Sequence, residues 1–184
     1  GYSLTTTGVT AFGYEAGRSS TTGGGTHIGY QAGYSQTTGG HNVSVGSGAL
    51  YSNQTNVYNV AIGNSALYSL AGSSLDGNVA VGYEAGRNAQ SDTGTIMIGY
   101  RAGYRQKGHS SISIGYEAAR YAEAGQLVAI GRNAASGVGN HSAIGVAVGY
   151  QAAIRVASGS TAGFTAVGWR AGYQMSSSNT FFGY

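Results

Sequence analysis

Glu84, Arg101 and Glu117 recur at one phase of this chain, and Glu15 and Arg170 share that phase further out. Two carboxylates held side by side can divide acid and base roles. Here a cation falls between them and the spacing is regular, which describes a charge ladder on a surface, a modest stabiliser. The four histidines do no better as ligands: His27 lies in an apolar, strand-like triplet, and His41, His109 and His141 fall in loops of different repeats, without zinc spacing. Asp76 and Asp92 are too few for the acidic calcium-binding repeats of other β-rolls. No Ser-His-Asp order, phosphate loop or nucleophile elbow has a fitting context. The expectation is a protein that is not an enzyme, with no catalytic residue, cofactor or metal.

Tyrosine is the unusual residue, with 15 copies. Two sets keep phase on consecutive repeats: Tyr34, Tyr51 and Tyr68, and Tyr83, Tyr100 and Tyr116. Trp169 takes the second set's slot, as do Tyr14, Tyr30, Tyr150 and Tyr184. The plainer reading is aromatic stacking that closes the edge of a roll or packs on a neighbouring chain. The functional reading makes these six tyrosines a rigid platform for a sugar or a protein receptor, since aromatic rows bind with little entropy loss.

These residues keep phase because the chain is a repeat of about 17 residues with a glycine anchor. Anchors fall at Gly13, Gly29, Gly46, Gly63, Gly82, Gly99, Gly115, Gly131, Gly149, Gly168 and Gly183. The residue before each anchor is apolar, and the one three before is β-branched, as in Val79-Ala80-Val81-Gly82. Two residues apart, these positions share one face of a strand. The position between them is mostly small, so each strand has a dry side and a tight side. We expect the dry, β-branched side to face the interior. Three residues after the anchor stands Ala in all ten complete copies, from Ala16 to Ala171, which implies room for no more than a methyl group. A second short strand is expected across this Ala segment. Ser19 to Gly24, Ser35 to Gly40, Ser69 to Gly77 and Ser176 to Asn179 read as surface loops.

The fold class that follows is all-β: a parallel β-solenoid of about 17-residue coils, one repeat domain over residues 1–184 with about eleven coils. At about 4.8 Å per coil it makes a rod roughly 50 Å long. Only 8% of residues are charged and the net charge is +3, with Arg101, Arg105 and Lys107 the one basic cluster, so nucleic acid is not an expected partner. No apolar run is long enough to span a membrane as a helix. Zero Cys removes disulfides and thiolate sites. Asn42, Asn53 and Asn140 open glycosylation sequons, which a Ser/Thr/Asn-rich chain produces by chance. The absence of a signal peptide, an initiator Met and polar capping repeats leads us to expect a segment of a longer fibre protein, or subunits stacked end to end through open strand edges. An ice-binding solenoid would want a regular Thr face, whereas Thr5-Thr7, Thr21-Thr22 and Thr37-Thr38 cluster irregularly. A polysaccharide-degrading β-helix would want clustered acids.

Asn59-Val60-Ala61-Ile62-Gly63-Asn64-Ser65-Ala66-Leu67 and Asn78-Val79-Ala80-Val81-Gly82-Tyr83-Glu84-Ala85-Gly86 resemble the head repeats of YadA-type trimeric autotransporter adhesins, and more closely the Tyr-rich repeats of phage and bacterial tail-fibre-like proteins. The resemblance covers essentially the whole chain and is specific for the strand-Gly core. It implies a left-handed β-roll, a homotrimer of chains wound side by side, and attachment of an extracellular, cell-surface or virion fibre to a host glycan or protein receptor. The repeats here are longer than in the best-known heads of that family, and these residues contain no stalk, neck or membrane anchor.

Overall fold

The computed structural model describes residues 8–70, 75–90, 93–139, 141–155, 163–174 and 180–183. Asp92, Tyr184, Asn140, Thr5 to Thr7 and the loop Ser176 to Asn179 lie outside these, as does part of the loop Ser69 to Gly77. Each β-branched–small–apolar triplet becomes a strand: β1 (Thr10–Phe12), β2 (Thr26–Ile28), β3 (Val43–Val45), β4 (Val60–Ile62), β5 (Val79–Val81), β6 (Ile96–Ile98), β7 (Ile112–Ile114), β8 (Ala124–Ile130), β9 (His141–Val148), β10 (Phe164–Val167) and β11 (Thr180–Phe182). His141 therefore opens a strand rather than lying in a loop.

All eleven strands form one parallel sheet in sequence order. Register is kept slot on slot, as Val60 on Val79, Ala61 on Ala80 and Ile62 on Val81. The longer pair β8–β9 carries a shift between Ala124 and Gln126. The chain is a β-solenoid of about 17 residues per coil, with no helix among the described residues.

Two expectations fail. The Ala segment is a chain of turns, not a second strand. Its backbone alternates into the left-handed region, at Glu84 (φ 52°) and Gly86 (φ 59°), and again at Arg101 (φ 52°) and Gly103 (φ 60°), so it cannot extend. Its amides still reach the next coil: Gly86 N donates to Ala102 O at 2.9 Å, and Gly103 N to Ala118 O at 2.9 Å. Coils are thus stitched on both sides with a sheet on only one.

The second failure is the direction of the strand faces. Ala61, Ala80, Met97, Ser113, Ala129 and Ala147, at the middle of the triplets, are fully buried. The β-branched and apolar slots beside them face outward and are half-buried or exposed. The bend at the anchor glycine and the left-handed turns after it close the coil on the side of the middle slot. Its interior holds the middle slots, the Ala column from Ala16 to Ala171, and a few long side chains such as Leu50, Leu67 and Leu127.

The interior combines apolar clusters with buried polar groups: Leu50, Leu67, Leu75 and Met97 belong to an apolar cluster in the same coils as buried Asn59 and Asn78. Ala118, Leu127, Val138, Ala147 and Phe164 belong to another apolar cluster. Asn42, Asn59 and Asn78, each four residues before an anchor, form a buried ladder in which Asn42 Oδ1 accepts from Asn59 N (2.8 Å), Asn59 Oδ1 from Asn78 N (2.9 Å) and Asn78 Oδ1 from Thr95 N (2.9 Å). Such bonds satisfy backbone amides that water cannot reach. Asn42 and Asn53 are fully buried, which removes two of the three sequons from the surface.

His27 fills a middle slot and is fully buried, with Nδ1 2.8 Å from Ser44 Oγ and no partner for Nε2. Burial pushes its pKa down from 6.5 to about 4. The folded state therefore resists the proton that the unfolded chain accepts. The His27 contribution to stability is whole above pH 6.5, falls as pH drops toward 4, and levels off below; the full loss is about 3 kcal/mol. In urea titrations across that range, His27→Met, which copies Met97 in the same slot, is expected to lose this slope. An unchanged slope in the variant would assign the pH dependence to other groups.

Candidate functional site

Triplets of β-branched and apolar residues with a small middle residue turn the sheet outward, and the result is an apolar strip along the rod. Its rungs are Val60 and Ile62, Val79 and Val81, Ile96 and Ile98, Ile112 and Ile114, Val128 and Ile130, and Val146 and Val148, on six consecutive strands. Ile62, Ile98 and Ile130 keep 38–40% of their surface, and Phe12 and Phe182 on the outermost strands keep 76% and 79%. Soluble monomers rarely leave a continuous apolar surface of this kind uncovered, and such strips mark contact surfaces.

The tyrosines of the sequence argument do stack. Tyr34, Tyr51 and Tyr68 form a column with centroids 4.9 Å apart and near-parallel rings. Tyr83, Tyr100 and Tyr116 form another, at 5.3 and 4.9 Å. The two columns occupy different phases of different coils and do not make one surface. Packing between its neighbours raises the pKa of Tyr51, first by loss of solvent and then through the charges of Tyr68 and Tyr34.

Arginines complete both columns, at positions that the tyrosine pattern alone does not mark. Arg18 and Arg87 share the phase of Tyr34, Tyr51 and Tyr68; each guanidinium lies 5.2 Å from the ring at its end of the column, Arg18 over Tyr34 and Arg87 over Tyr68. Arg132 stands between Tyr116 (5.2 Å) and Tyr150 (6.0 Å), so that Tyr150 and Trp169 continue the second column. A cation over a ring face carries the column through where a tyrosine is missing. Reading the phase of the arginines beside that of the tyrosines would have found them.

The acid–base phase is only partly a ladder. Arg101 Nε pairs with Glu84 at 2.6 Å, and this bond holds the guanidinium more firmly protonated. Glu117 instead pairs with Arg120 at 2.9 Å, three residues on. Glu84 is nearly buried rather than on an open surface. His41 stacks on Tyr58 at 5.4 Å, and no group of three His, Asp or Glu able to hold a metal occurs among the described residues.

No family model, curated protein or solved structure matches this chain.

Proposed function

We propose that this chain is the head of a non-enzymatic extracellular fibre or adhesin, carried on a cell surface or a virion, in which three copies pack their sheets together and present loops and tyrosines to a host glycan or protein. The observation that carries this reading is the outward apolar strip. A rod one coil thick cannot cover its own sheet, and a second surface of the same length and register is the simplest cover. Another copy of the chain supplies it. The number three and the left hand of the winding come from the resemblance of the strand-Gly core to adhesin heads. Tyr34, Tyr51, Tyr68, Tyr83, Tyr100 and Tyr116 are the proposed receptor-facing residues, because stacked rings are held rigid and lose little entropy on binding.

The test is the mass of the purified chain by light scattering, with negative-stain images of the same sample. A particle of three times the 18.5 kDa chain supports the head. A stable monomer would overturn it.

A second reading is a subunit of a self-assembling filament, stacked end to end. It is favoured by β1 and β11, the outermost strands, whose far edges have no partner strand among the described residues. Long uniform fibres growing from pure protein would select it.

A further inference from the structure

A slot of about 280 Å³ opens on the rod between Gln90, Arg105, Lys107, Tyr121 and Glu123. Its walls follow from the repeat. Gln90, Lys107 and Glu123 each stand eight residues after an anchor, and Arg105 and Tyr121 each stand six after one. Two columns of side chains, two residues apart on consecutive coils, leave a trough one side chain wide. Backbone bonds fix it: Arg105 N donates to Arg120 O at 2.9 Å, Lys107 N to Ala122 O at 2.8 Å and Gln90 N to Gln106 O at 3.0 Å. Lys107 lies eight residues past Gly99 and five before Ile112, so the slot is roughly midway round the coil from the sheet. A partner covering the apolar strip leaves it open.

The charges are unequal. Lys107 Nζ is paired with Glu123 at 2.7 Å, while Arg105 is exposed and has no ion pair among the described residues. Among the described residues the slot therefore holds one uncompensated cation. Beside it Tyr121 exposes 42% of its surface, with Arg120 4.7 Å from its ring centroid. Gln90 and Glu123 add an amide and an acceptor at the rim.

We propose that this slot binds a carboxylate-bearing sugar, a uronic or sialic acid residue of an acidic saccharide. Arg105 takes the carboxylate in a bidentate pair. The Tyr121 ring carries an apolar face of the sugar, and Gln90 and Glu123 bond its hydroxyls. One spare positive charge matches a monoanion; a phosphate dianion would leave one charge unmatched and would meet Glu123. The volume, at the low end of small-ligand sites, suits one sugar unit. This deepens the receptor reading above and rests on it, while placing the contact away from the six tyrosines named there.

The experiment is titration of the full chain, by saturation-transfer NMR, with a glucuronic acid disaccharide and with sialyllactose, against lactose and inorganic phosphate. At least one acidic sugar is expected to bind about tenfold or more tightly than lactose, and phosphate is expected not to displace it. Arg105→Ala and Tyr121→Ala, both at exposed positions, are each expected to weaken that binding about tenfold with the melting curve unchanged. Equal binding of acidic and neutral sugars, displacement by phosphate, or indifference to Arg105→Ala would each overturn the slot. Adhesion of the folded chain to host cells is measured in parallel. If host cells are bound but no acidic sugar binds through Arg105, the slot fails and the adhesin reading stands. If the acidic sugar binds through Arg105 but no host surface is bound, the adhesin reading fails and the slot stands.

Discussion

Gly82→Ala is expected to cost about 4 kcal/mol and to melt the coils on either side of it. The ten anchor glycines from Gly13 to Gly168 sit at φ between 123° and 135°, a region that side chains rarely adopt. At Gly82, moreover, an added methyl would stand 2.5 Å from the carbonyl oxygen of Gly99. That oxygen belongs to the next coil's backbone and cannot swing aside as a side chain would. Relieving the clash means separating two coils, with loss of the stacking bonds from Gly99 N to Val81 O and from Arg101 N to Tyr83 O nearby. Gly94→Ala is the control. Gly94 has φ 63° and nothing within 4 Å of the added atom, so it loses only the backbone term, about 1 kcal/mol. Denaturant melts followed by circular dichroism compare the two. Equal losses would mean that backbone conformation, not close approach, is what the anchor glycine serves.

Ile98→Asp combined with Ile130→Asp, two strands apart so that the new charges do not face each other in the ladder, is expected to reduce an assembly joined through the sheets to the single 18.5 kDa chain while leaving the β spectrum intact. Both residues point away from the coil interior, each with 38% of its surface exposed in the isolated chain, so neither substitution empties a core position. In an assembly joined through the sheets, each chain would lose two buried isoleucines, roughly 1.5–3 kcal/mol apiece, and would gain two unpaired charges at the joint. Association should weaken by more than about a hundredfold. Light scattering reads the outcome. A variant that keeps the mass of its parent would remove the sheet from the interface.

The strand positions were legible because two constraints coincide in every copy. A parallel stack in one register needs the same residue types at the same phase, and the β-branched residue three before the anchor and the apolar one just before it mark each of the eleven strands. The Ala column was legible for the same reason, since a repeated small residue reports a repeated lack of room. What alternation cannot tell is which side of a strand the coil closes on. Val79 and Val81 look like core beside Ala80, and the answer turns on which way the chain bends after the strand, which is set at the anchor glycine and the left-handed turns that follow it. That segment defeats a strand reading because residues such as Glu117 and Gln151 adopt positive φ without being glycine. The Asn42–Asn59–Asn78 ladder was written in the sequence at the anchor's own spacing but sat among residues that read as loop. Of the proposed site, the two tyrosine columns were visible in the phase, whereas the slot beside Arg105 needed two neighbouring phases to be combined.

The glycine column also has a mechanical consequence. Along that line successive coils touch backbone to backbone, with no side chain between them to yield, and close-packed interiors compress little. The connecting segments elsewhere vary, with anchors spaced from 15 to 19 residues apart, so their contacts change from coil to coil. A load along the rod is borne mainly by the glycine line. Under compression the rod should bend with that line as its stiff spine, and its flexing is confined to the opposite, loop-bearing side.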